Sequence, residues 1–156
     1  MVSVWRNYWH PRSAFWLLIP LTLSWLQVSA AGRVNLGADN VAVSGYDLLS
    51  YFEAQAEPGN TKFSSHYRGA TYLFSTAAHL ESFESDPQRF LPAYGGYCAY
   101  GITMGKQLSI DPEVYDIVAG RLYLLLNRAT KKIWQHDKNR NISTADQLWL
   151  TTGTSP

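Results

Sequence analysis

Apolar and polar positions alternate from Phe63 to Tyr67, where Phe63, Ser65 and Tyr67 share one face and Ser64 and His66 the other. After Arg68-Gly69 the run Ala70-Thr71-Tyr72-Leu73-Phe74 resumes the pattern, so the segment predicts a β-hairpin. A second hairpin is predicted where Val114 to Val118 and Arg121 to Leu126 flank Ala119-Gly120. Helical spacing follows the first hairpin. Thr76 suits an N-cap, and Leu80 and Phe83 fall on one face of a helix running to about Ser85. Asp86-Pro87 starts a further short helix, which Pro92 limits. Arg128 to about Asp137 predicts a helix with Ile133 and Trp134 inward. A last helix begins within Asn141 to Asp146, with Leu148 and Trp149 facing the core.

The remaining segments are short. Val41-Ala42-Val43 is β-prone and is broken at Gly45-Tyr46-Asp47, Leu48 to Phe52 predicts a helical turn, and Glu57-Pro58-Gly59-Asn60 a loop. Asp111-Pro112 predicts a turn, and Asp86 and Asp111, each before a proline, suit turn and cap roles better than acid catalysis. No repeat or low-complexity tract is visible. Two hairpins with separate helices define an α+β domain rather than a doubly wound one.

Residues 1–12 carry Arg6 and Arg12 and no acid; an apolar run follows from Ala14 to Leu26, then Val28-Ser29-Ala30. Basic, apolar and small-residue regions in that order read as a secretory signal cleaved near Ala30. A helix of about 13 residues reaches only ~20 Å, against the ~30 Å of a hydrocarbon core. An exported protein, periplasmic or secreted, with no membrane span after cleavage is therefore expected; uncleaved, the segment would be an N-terminal anchor. The expected organisation is a signal over 1–30, one domain over 36–150 and a flexible tail over 151–156. Composition and charge add two constraints. Hydrophobic residues make up 46% and charged residues 16%, enough to exclude disorder. Net charge is +1 and becomes about −1 without Arg6 and Arg12, so no basic stripe is left for nucleic acid.

Several motifs together resemble the YHS domain family: Tyr67-Arg68-Gly69, Tyr72-Leu73-Phe74, Phe83, Asp86-Pro87 and Phe90, with Gly45-Tyr46-Asp47, Tyr51-Phe52, Tyr94-Gly95-Gly96-Tyr97-Cys98-Ala99, Asp111-Pro112, Gly120-Arg121-Leu122-Tyr123-Leu124, Asn127 and Trp134 around them. The set covers about residues 36–150 and looks like the exported single-domain members of that family. YHS domains of heavy-metal pumps carry two cysteines four apart after the corresponding Phe. The matching positions here are Ser75 and His79. The resemblance thus implies a small α+β binding module, while the thiolate pair that holds a soft metal is missing. A serine hydroxyl is a poor copper or zinc ligand.

Cys98, the single cysteine, sits among Tyr94, Tyr97 and Tyr100 and three glycines. With no intramolecular disulfide possible, it is a buried small hydrophobe, a soft-metal ligand or a redox thiol. By the resemblance His79 occupies a ligand position; otherwise it is an exposed helix histidine. Cys98 and His79 could form half of a mixed copper or zinc site, with Met104 as third donor. Tyr46, Asp47, Tyr94, Tyr97 and Tyr100 line either a small-molecule pocket or a core of hydrogen-bonded rings. No Ser-His-Asp elbow, phosphate loop, dinucleotide fingerprint or His-Glu-x-x-His run is present. A Cys98–His79 nucleophilic pair, with Asn127 or Asp146 to orient it, rests on composition alone. The expected function is an exported transition-metal module, copper first. A metal-free structural or protein-interaction domain and a thiol redox partner are the alternatives, and no enzyme is expected.

Overall fold

A computed structural model describes residues 33–152; the expected signal and the last four residues of the chain lie outside them. The protein is α+β. Strands β1 (Asn60–Tyr67) and β2 (Ala70–Phe74) form one antiparallel hairpin, and β3 (Asp111–Val118) and β4 (Arg121–Leu125) form another. Helices α1 (Ala77–Ser85) and α2 (Pro87–Phe90) follow the first hairpin. The four-residue α3 (Ala99–Ile102) precedes the second, and α4 (Arg128–His136) and α5 (Lys138–Thr152) follow it. No helix among the described residues is long and apolar enough to cross a membrane.

The two hairpins belong to a duplicated unit, which corrects the expectation of no repeat. A constant displacement of 51 positions, from Asn60 to Asp111, carries β1, β2 and α1 onto β3, β4 and α4. Each hairpin shifts register at the matching place, between Asn60 and Ser64 and between Asp111 and Tyr115. Each turns through two residues of positive φ, Arg68-Gly69 and Ala119-Gly120. Thr76 and Asn127 cap the two helices, accepting from the N–H three residues on, of His79 and Thr130. Asp86 and Asp137 end them with nearly equal angles, φ −151° and −146°. The correspondence extends upstream: Val43-Ser44-Gly45 and Tyr94-Gly95-Gly96 are both left-handed. The bonds Asp47 N–H to Glu57 carbonyl and Cys98 N–H to Leu108 carbonyl also match. Few side chains are shared, Tyr72 and Tyr123 among them, so the repeat is written in backbone geometry more than in residue identity.

A two-stranded hairpin is marginal by itself. Each half solves this by laying one large aromatic of the capped helix on its own hairpin. Phe83 packs against Tyr72 with ring centroids 5.2 Å apart, and Trp134 against Tyr123 at the same 5.2 Å. Phe83 and Trp134 are both fully buried. Strand β4 joins the halves. Leu122 and Leu124 enter the first apolar cluster while Tyr123 and Leu125 enter the second. Both faces of that strand are buried, which is why its apolar run does not alternate. Tyr51 adds a polar tie, donating to the Pro112 carbonyl at 2.8 Å and meeting Tyr115 edge-on at 4.9 Å.

Some local expectations change. Ile133 is 51% exposed although Trp134 is buried; neighbours on a helix lie about 100° apart and cannot both face one narrow core. The last helix starts at Lys138, ahead of Asn141, and it includes Thr151 and Thr152 of the expected tail. Asp111-Pro112 opens β3 instead of forming a separate turn, and the Asp111 carboxylate accepts from the Glu113 N–H at 3.0 Å. Asp86 makes no side-chain cap bond. The Gly-rich stretch is tight for a specific reason: a Cβ on Gly95 would lie 1.7 Å from the Arg33 carbonyl oxygen, and φ there is +62°. Phe83→Ala should lower stability by about 3–5 kcal/mol, read from urea unfolding. A loss under about 1 kcal/mol would remove Phe83 from the role of keystone.

Candidate functional site

Asp47 is fully buried, and a buried carboxylate must be paired and hydrogen-bonded. Its Oδ1 accepts from the Leu49 N–H at 2.8 Å. Its Oδ2 accepts from the Ser75 N–H at 2.8 Å, from the Ser75 hydroxyl at 2.7 Å and from His79 Nδ1 at 2.6 Å. Ser75 leaves β2 and His79 lies on the first turn of α1, which Thr76 caps, so the hairpin-to-helix junction brings both to the Asp47 loop. The other ring nitrogen of His79, Nε2, faces Glu53 at 3.2 Å. An imidazolium donates from both nitrogens and satisfies both carboxylates at once.

The shifts agree with this geometry. Burial pushes the Asp47 carboxyl up, but the bonds from Ser75, His79 and Leu49 outweigh it and hold the group below its ordinary 3.8. Burial likewise pulls His79 down, but the Asp47 hydrogen bond and charge, with Glu53 behind them, raise it above 6.5. The two carboxylates meet opposite edges of one ring and do not converge on a common point. Among the described residues no group of three or more His, Cys, Asp or Glu side chains is arranged to hold a metal ion.

Cys98 is the counterpart of Asp47 in the second half, as the matching backbone bonds to Glu57 and Leu108 show. Leu126 stands where Ser75 does, and Thr130 where His79 does. The polar cluster of the first half is thus replaced by a small apolar niche, and Cys98 is fully buried in the second cluster. His79 and Cys98 lie in the corresponding regions of different halves, His79 bonded to Asp47 and Glu53 and Cys98 enclosed in the second apolar cluster. Met104 is half-exposed after α3. Asn127 is spent on capping α4, and Asp146 pairs with Arg121 at 3.0 Å and accepts from the Tyr94 hydroxyl at 3.0 Å. Tyr46 and Tyr97 bond to Glu113 and to the Val34 carbonyl, as hydrogen-bonded rings of the fold. His66 is exposed, as its place in the alternation implies.

Sequence reasoning placed Asp47 only among pocket-lining candidates and missed its part as the hub. The available signal was a lone acid inside the apolar stretch 41–52. It also missed a cleft of about 510 Å³ at the seam of the two halves, walled by Arg68 and Arg89 on one side and by Tyr94 and Arg121 on the other.

Comparisons with protein-family models, with curated proteins and with solved structures found no match.

Two outcomes follow from the site. A raised His79 stabilises fully below its unfolded value of 6.5, and that contribution fades as pH climbs through the folded value. A lowered Asp47 stabilises fully above 3.8, and that contribution fades as pH falls through its folded value. The pair therefore contributes most between about pH 3.8 and 6.5. The fall in stability above that window should be smaller in His79→Gln, measured by urea titration across pH; an unchanged profile would reject the assignment. The buried Cys98 thiol should label with a maleimide only at the rate of unfolding, and rapid labelling of native protein would contradict its sealed position.

Proposed function

We propose that this chain is a small, exported, non-catalytic binding module of YHS-like character that works without a metal ion and binds its ligand at the seam between its duplicated halves. The observation that carries this reading is how the donor side chains are used. The sulfur of Cys98 is enclosed in an apolar cluster, and both nitrogens of His79 are engaged by carboxylates. Those groups hold the fold together, while the large concave surface lies elsewhere, in the volume range of small-molecule sites. The absence of a catalytic motif along the chain fits a module that binds and does not transform. The leader over 1–30 supports export, and the motif set at the first hairpin supports the family character.

One observation favours a second reading, a copper or zinc module. Asp47 grips His79 Nδ1 in the carboxylate–imidazole arrangement that orients metal-binding histidines. Nε2 and Glu53 would then be the donors among the described residues, and a metal would have to displace the proton that lies between them when His79 is charged.

Titration of purified protein with Cu(I) and with Zn(II) separates the two readings. The metal-free reading expects no stoichiometric binding and no difference between the wild type and the Cys98→Ala/His79→Ala double variant. One equivalent bound by the wild type and lost with His79→Ala would replace it with the second reading.

A further inference from the structure

The cleft at the seam carries a definite chemistry. One wall comes from the first half, where Arg68 sits at the hairpin turn and Arg89 on α2; the other comes from the second half, where Arg121 begins β4 beside Tyr94. Among the described residues no aspartate or glutamate lines it. Arg68 and Arg89 are exposed, and neither forms an ion pair with a carboxylate among the described residues. Gln88 neighbours the Arg68 guanidinium: with its amide oxygen turned toward Arg68 and the Tyr67 hydroxyl it accepts from Arg68 at 2.8 Å. Aromatic faces steady the others, since the Arg89 guanidinium lies 5.4 Å over Phe90 and that of Arg121 lies 5.1 Å over Tyr94 and 5.3 Å over Tyr123. Arg121 also has Asp146 behind it, which fixes its direction and leaves further donors of the guanidinium fork. Arg33 stacks 4.3 Å over Trp149 and donates to the Trp149 carbonyl, and it is not needed as a ligand donor.

A concave surface lined by guanidinium groups from two sides, of which Arg68 and Arg89 have no carboxylate partner among the described residues and Arg121 has Asp146, favours an incoming anion. Like charges repel across such a gap, and guanidinium is suited to carboxylate and phosphate in bidentate geometry. From this arrangement we propose that the seam binds a small molecule bearing two oxyanion groups, one held by Arg68 and Arg89 and the other by Arg121. The proposal rests on the reading of the seam as the binding surface and names the chemistry it takes. Because the two walls belong to different copies of the duplicated unit, a ligand with two heads also bridges the halves.

Calorimetric titration tests it with citrate and pyrophosphate as two-headed probes, acetate and inorganic phosphate as their one-headed counterparts, and glycerol as the uncharged control. Citrate or pyrophosphate should bind once per chain, about tenfold or more tighter than its one-headed counterpart, and more weakly as salt is added. Which of the two binds separates a carboxylate from a phosphoryl ligand. Arg68→Ala/Arg89→Ala and Arg121→Gln should each remove that advantage, with thermal unfolding of each variant confirming a folded protein. Arg140→Ala, on α5 away from the cleft, should bind as the wild type does. Failure of both two-headed probes to saturate, equal affinity for the one-headed probes, or binding untouched by the cleft variants would each overturn the proposal. Binding of glycerol as tight as that of the anions would overturn it too, while leaving the seam as a site for neutral ligands. Failure of the metal-free reading is seen separately, in the metal titration.

Discussion

A two-stranded sheet buries too little to persist, and everything in this protein is arranged around that shortage. The remedy is used twice. A capped helix returns across its hairpin and sets one large ring, Phe83 or Trp134, on a tyrosine of the second strand. Even then neither half is closed, because each leaves the other face of its hairpin to be covered. Strand β4 covers both by sending alternate side chains into the two clusters. The halves are therefore not beads on a string. They share a wall, and the seam between them is a fixed feature of the fold.

Duplication frees one copy of a position to differ from the other. At the loop that enters each half the backbone is the same, down to the bond that the Asp47 or Cys98 N–H makes across the loop. The side chains have taken opposite routes. In the first half a buried carboxylate gathers the Ser75 N–H, the Ser75 hydroxyl and the His79 ring, which ties loop, strand end and helix start together. In the second half the same three places hold Cys98, Leu126 and Thr130, and the junction is held by packing. One is a network that must be fully satisfied to be stable; the other asks only for volume. The thiol is then explained as a small apolar side chain that fits where a carboxylate would have no partners.

Charge is distributed unevenly for the same reason. Two of the basic residues at the seam come from positions that the repeat does not duplicate as arginine: Arg68 corresponds to Ala119 and Arg121 to Ala70, whereas Arg89 corresponds to Arg140. Each half supplies what the other lacks, and only their juxtaposition makes a cleft lined from both sides. A chain with a net charge of +1 can thus hold a strongly positive local surface.

Local structure was legible along the chain because its causes are local. Alternation at 63–67 and 70–74, the paired turns, the Thr76 cap and the α+β class need only neighbours within a few residues. The repeat was hidden because hairpins, caps and left-handed turns tolerate many side chains, so Phe83 can answer to Trp134 and Thr76 to Asn127, and the identities that remain, such as Gly45-Tyr46 with Gly96-Tyr97 and Tyr72-Leu73 with Tyr123-Leu124, are scattered. The candidate site was half legible: His79 was singled out, but its partner was not, since Asp47 is 32 positions away and only folding sets the two 2.6 Å apart. Cys98 and His79 were named as donors because donor type can be read from a sequence, whereas the engagement of His79 by two carboxylates and the burial of Cys98 cannot. From the chain alone came the two hairpins, the capped helices after them and the α+β class, while the starts of β3 and of the last helix did not. Tertiary structure decided which side chains meet, because burial of an acid, enclosure of a thiol and the opposition of arginines across a seam are properties of residues far apart in the chain.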